Sequence, residues 1–167
     1  MDGMDPITIT STIFTIASKC ITITKALSEV RDKFAFASLT IIAICTESSI
    51  CSSALFKLQM LLVQQQSTNV STGLQQLLSQ PLFLTSCDAA LTGCTAVLSC
   101  LDSELDDLRE AVERGSDLSW LQKAKAVWKE ETMQTLLQQL RGQITALNLL
   151  LQCTQMCVNF LFHLYHV

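Results

Sequence analysis

The sequence predicts an all-α protein, an up-and-down bundle of three to four long helices with a long connection near residues 64–82. Three observations carry that prediction. Apolar residues recur at spacings of three and four over several long stretches. Only 5 glycines and 2 prolines occur in 167 residues, too few for a turn-rich β-sandwich. Apolar residues make up 49% and charged residues 16% of the chain, which excludes an intrinsically disordered polypeptide.

Asp5-Pro6 opens the first element, Asp as N-cap and Pro at the first helical position. Ile9, Ile13, Ile16, Cys20, Ile23 and Leu27 then mark one helix face. A competing strand signal comes from the alternation Ile7-Thr8-Ile9-Thr10 and Ile21-Thr22-Ile23-Thr24. The unbroken face without a turn residue favours helix. After the charged break Glu29–Lys33, a second stretch has a less regular face of Phe34, Leu39, Ile42, Cys45, Leu55, Leu58 and Leu62, interrupted by Ser48, Ser49, Ser52 and Ser53. A Gln-, Ser- and Thr-rich connection with Gly73 and Pro81 follows.

The third stretch is the most regular, with Leu84, Cys87, Leu91, Cys94, Leu98, Leu101, Leu105, Leu108 and Val112 in phase and Gly115 as its stop. Ser119 to Gln122 matches a capping box. A fourth helix is expected to run from there through Trp120, Val127, Trp128, Leu136, Leu140, Ile144, Leu147 and Leu151, with Gly142 as its weak point. Trp120 and Trp128, eight apart, suit a bundle seam better than a ligand platform.

Net charge is −4, with no basic footprint for nucleic acid. Six acids, Asp102, Glu104, Asp106, Asp107, Glu110 and Glu113, crowd the end of the third stretch. They are a solvated helix face or a face for a protein partner. Residues 142–167 carry no Asp, Glu, Lys or Arg and are long enough to cross a bilayer. Asn148, Gln152, Gln155 and Asn159 nonetheless form a polar stripe there, expected of a packed amphipathic helix, with membrane association as the alternative. Asp2 and Asp5 stand where a signal peptide needs positive charge, so the expected location is cytoplasmic, with peripheral membrane contact as the alternative. The eight cysteines are then reduced core residues for the most part.

Motifs for catalysis and cofactors are missing. The sequence contains neither Gly-rich phosphate-loop pattern, and both histidines, His163 and His166, fall in the last five residues. Cys153, Cys157, His163 and His166 have the residue types of a zinc site but the wrong spacing, with no turn residue between the pairs. No enzyme activity, no cofactor and no metal site is expected.

Several segments carry a family resemblance: Met4-Asp5-Pro6-Ile7-Thr8-Ile9 running into Ser18–Leu27, Ile44–Ser48, Ala89–Thr95 with Leu98–Asp102, and Trp128–Glu131 leading to Leu136–Leu151. Together they resemble the fungal N-terminal domain at the head of STAND-type proteins, the family that also takes in the N-terminal region of azaphilone pigment biosynthesis cluster protein L. The resemblance covers residues 4–152 and leaves 153–167 as a divergent hydrophobic tail; Met4 is the family's usual start. It implies a non-catalytic helical module for protein interaction or signalling, binding a protein partner or itself through helices. Such modules are similar in architecture to HeLo-like cell-death bundles. The alternative function is therefore a membrane-active effector with residues 6–27 or 142–167 inserting.

Overall fold

The computed structural model describes residues 6–33, 39–64, 77, 79–113 and 129–165. They form four helices, α1 (Pro6–Lys33), α2 (Leu39–Gln64), α3 (Pro81–Glu113) and α4 (Glu130–Tyr165), and no strand occurs among the described residues. The Asp5 cap, Phe34, the capping box at 119–122, Trp120, Trp128 and Gly115 lie outside the described residues.

The strand signal in α1 loses to the helix for a local reason. Thr15, Thr22 and Thr24 donate their hydroxyls to the carbonyls of Ser11, Ser18 and Cys20, one turn earlier. This satisfies each hydroxyl within its own helix, so the β-branched residues lose little by staying helical. The predicted face of Ile9, Ile13, Ile16, Cys20, Ile23 and Leu27 is buried throughout.

α3 begins with Pro81 at the first position, where a missing N–H leaves nothing unpaired, and the Gln80 carbonyl accepts from the N–H of Leu84 at 3.2 Å. Cys87, Leu91, Cys94, Leu98, Leu101 and Leu105 are buried as the spacing requires. α4 begins after Lys129, whose carbonyl accepts from the N–H of Met133, and Glu130 and Glu131 occupy its positive end. The helix passes through Gly142 and on across residue 153 to Tyr165.

α2 corrects the sequence reading. Its inward face is Ile41, Ile44, Ser48, Cys51, Leu55, Leu58 and Leu62, all buried, whereas the expected core residues Leu39 (84% exposed) and Ile42 face outward. Cys45 is half-buried. The true face runs straight through Ser48, which looked like an interruption.

The helices close a ring. α1 packs on α2 and α3, and α4 packs on α2 and α3, with α1–α2 the most extensive interface. From Lys33 to Leu39 the chain reaches about 21 Å at most, half the length of α2, so α1 and α2 must be antiparallel. α2 and α4 run parallel, since Thr40 meets Glu130 and, further along both helices, Glu47 meets Arg141. On α3, Asp102 faces α1 and Gly93 faces α4. For a right-handed helix that order of faces requires α3 to run with α1. Directions thus alternate along the chain, but the order around the ring is α1, α2, α4, α3. α2 and α3 therefore stand on the bundle's diagonal.

Candidate functional site

The most unusual surface belongs to α2, because both of its faces are apolar. Opposite the buried row stand Ile42, Ser49, Ser53, Phe56, Met60 and Val63, at spacings of 7, 4, 3, 4 and 3, all exposed. Met60 is 60% exposed. Thr46, Ser49 and Ser53 donate their hydroxyls to the carbonyls of Ile42, Cys45 and Ser49. These small polar residues therefore make little demand on water, and the face is apolar in effect. Among the residues of α2 only Glu47 and Lys57 are charged. On α1, Phe14 (56% exposed) and Ile21 are exposed as well. A helix apolar on all sides belongs in a core or a membrane, yet one side of this one faces solvent.

The seam between α2 and α4 holds two open grooves of about 460 and 450 Å³. The ion pair between them, Arg141 Nε to Glu47 Oε1 at 2.8 Å, ties the two helices together. The first groove has Ala43 and Gln138 in its wall, the second Ile50, Lys57 and Asn148. Both are open to solvent and mix polar with apolar side chains in their walls.

The acidic residues singled out by sequence are spread around the exposed half of α3. Asp102 lies 3.3 Å from Lys19 Nζ, which also donates to Ser99 Oγ, so Asp102 holds α1 to α3. Glu104 is half-buried, and Asp106, Asp107 and Glu110 are exposed. The side chain of Glu113 lies outside the described residues. In the uncharged segment after Gly142, Asn148, Gln152 and Gln155 are exposed as the polar stripe requires, while Leu147, Leu150 and Leu151 pack inward. Among the described residues, two stretches are long and apolar enough to cross a membrane, Leu39–Val63 of α2 and Pro81–Asp107 of α3.

All eight cysteines are free thiols. Cys153 is exposed and Cys157 half-buried; His163 and His166 lie outside the described side chains. No cluster of three or more metal-ligating side chains occurs among the described residues. Burial pushes the Cys87 thiol up to about 11. Cys45 is raised by burial too, against the opposing effects of a hydrogen bond with Ser28 and the charge of Arg31.

A second grouping escaped the sequence reading. Cys20 of α1, Cys51 of α2 and Cys94 of α3 all belong to the core, where each is completely buried. Cys51 was hidden among serines; following the spacing of α2 through Ser48 would have placed it on the inner face.

No protein family, curated protein or solved structure matches this chain.

Proposed function

We propose that the chain is a non-catalytic helical module for protein interaction and signalling, of the kind found at the head of fungal STAND-type proteins. It engages a helical partner, or a second copy, through the outer face of α2. The observation that carries this reading is the exposed row of Ile42, Phe56, Met60 and Val63 on a helix with two charged residues. Contiguous exposed apolar surface on a soluble domain marks an interaction site more often than idle surface. The open seam beside it supplies depressions for protruding side chains, and Lys57 gives the rim one positive charge. Light scattering on the purified protein, alone and with its candidate partner, tests the proposal. Phe56→Glu and Met60→Glu are expected to abolish association while leaving the helical signal and thermal midpoint in place. A chain that stays monomeric at every concentration and binds no helical partner refutes it.

A second reading rests on a separate observation, the membrane-compatible length and hydropathy of α2 and α3. It makes the chain a membrane-active bundle that meets lipid through the same apolar face and then inserts α2. Flotation with neutral and anionic vesicles separates the two: a protein that remains in the soluble fraction with both is no membrane effector. Under the first reading the protein is cytoplasmic, and under the second peripheral to a membrane.

A further inference from the structure

The outer face of α2 has matching positions on the two sides of Ser53. Thr46 lies seven residues before it and Met60 seven after, and Ser49 lies four before and Phe56 three after, all exposed. Exposed Ile42 and Val63 close the row, eleven before and ten after. The two charges of the helix follow the same rule, Glu47 six before and Lys57 four after. A small residue on one side is thus matched by a large one on the other, and an acid by a base. A face of this kind is complementary to itself turned end for end.

We propose that α2 pairs with α2 of a second copy of this chain, antiparallel about a two-fold axis at Ser53, to form an isologous homodimer. This rests on the docking reading above and names its occupant.

Size complementarity sets the register. In the antiparallel pair, Phe56 of each copy lies over Ser49 of the other, Met60 lies over Thr46, and the two Ser53 residues meet at the axis. Thr46, Ser49 and Ser53 donate their hydroxyls to their own helix, so little hydration is lost when they are covered. Small residues at the centre also permit the close interaxial distance of about 8–10 Å found in packed helices. A parallel pair would instead set Phe56 against Phe56 and Met60 against Met60, with a gap at the serines between.

Charge selects the same direction. Lys57 lies on the flank of α2 turned toward α4, where it lines a groove with Asn148 and Leu151. Glu47 lies on that flank too, held by Arg141. A two-fold axis across the helices reverses their direction and keeps each flank on its own side. Each Lys57, which has no ion-pair partner among the described residues of its own chain, therefore comes up beside the Glu47–Arg141 pair of the other copy. The contact occurs twice, and the symmetry closes the assembly at two chains.

The test uses the full chain carrying Cys100→Ser and Cys153→Ser, which removes the exposed native thiols. Ser53→Cys, Thr46→Cys and Met60→Cys are then made singly, all at exposed positions, with circular dichroism to check that each variant keeps its helices. Each is mildly oxidised and its crosslinks are mapped. Ser53→Cys is expected to give a disulfide-linked dimer by itself. Thr46→Cys and Met60→Cys should not, because like positions seven residues from the axis stand about 21 Å apart, whereas a mixture of the two should crosslink. By light scattering, Lys57→Glu should raise the dimer dissociation constant about tenfold and Phe56→Glu should abolish the dimer. Self-crosslinking of Thr46→Cys, or a dimer indifferent to Lys57→Glu, overturns the antiparallel pairing; the docking reading survives either result if Phe56→Glu still dissolves the dimer. A chain monomeric at every concentration also overturns the pairing, and the docking reading falls with it only if no helical partner binds. A dimer that persists in Phe56→Glu overturns both.

Discussion

Ser48 offers the sharpest test of the packing. It occupies the centre of the inward row of α2, fully buried, and its Oγ has no hydrogen-bond partner among the described residues. Its neighbours Ser49 and Ser53 return their hydroxyls to the helix backbone, and Ser48 does not. A buried hydroxyl without a partner costs about 1–3 kcal/mol in lost hydration. Ser48→Ala removes that cost and adds about 0.5 kcal/mol of helix propensity. The space left by one oxygen returns up to about 1 kcal/mol of lost packing. The net expectation is a gain of about 1–2 kcal/mol. For a chain of 167 residues this raises the thermal midpoint by about 3–6 °C. Scanning calorimetry on Ser48→Ala, with Ser49→Ala and Ser53→Ala as exposed controls, measures it; the controls change only propensity, about 0.5 kcal/mol each. If Ser48→Ala gains no more than the controls, or lowers the midpoint, then Ser48 is hydrogen-bonded in solution and the argument fails.

Four further outcomes follow from the same geometry. Gly142 is exposed in the interior of α4 and a Cβ there meets nothing within 4 Å, so Gly142→Ala should stabilise by about 1 kcal/mol in urea titration. At Gly93 a Cβ would overlap the carboxamide of Gln143, 2.6 Å from its Cδ, so Gly93→Ala should gain less, and pairing it with Gln143→Ala should recover the difference. Cys87 releases its proton near 11 in the folded protein, against an ordinary 9.0. The unfolded chain ionises first, so its stabilising effect is complete below about pH 9 and is lost as pH rises toward 11, on the order of 2–3 kcal/mol. Urea midpoints in reductant across that window should fall, and Cys87→Val should make the fall shallower, the rest belonging to the other raised thiols. Asp102→Asn breaks a pair whose side chains are each about one-third exposed, so it should cost below about 1 kcal/mol. It should also leave binding by the outer face of α2 unchanged in a pull-down.

Legibility in the sequence followed amphipathicity, helix by helix. In α1 and α3 one face is apolar and the other polar, so the spacing of Ile9 to Leu27 and of Cys87 to Leu105 located the core residue by residue. In α2 the signal fails because a rotation of one residue, about 100°, still brings a hydrophobic side chain inward. Leu39 and Ile42 were as plausible a start as Ile41 and Ile44, and the serine run hid the correct phase. The same ambiguity concealed the candidate site and Cys51, since the exposed row is the other half of α2 and Cys51 belongs to the row that was misphased. Ring order was illegible for a different reason. Periodicity says which face of a helix is buried, not which neighbour buries it; only the length of the 64–82 connection hinted that α2 and α3 are not adjacent.

The apolar outer face of α2 serves both functional readings, but they ask different things of the bundle. Docking a partner helix uses the outer row alone and leaves the inward row packed. Spanning a membrane requires α2 to leave the bundle, because its inner face is the core. That step exposes Ile41, Ile44, Leu55, Leu58 and Leu62, each worth about 1.5–3 kcal/mol of burial, together on the order of 10 kcal/mol. This is comparable to the whole stability of an ordinary domain. Lipid can offset the burial, because α2, about 39 Å long, exceeds the hydrocarbon thickness. It cannot offset the Glu47–Arg141 pair, which breaks and carries a carboxylate toward the bilayer interior at about 2.5–3.5 kcal/mol. Glu47→Gln therefore separates the readings. It should ease any insertion of α2, raising vesicle leakage, while association through Phe56 and Met60 weakens by about tenfold at most. Leakage that is absent from both proteins leaves partner docking as the use of this face.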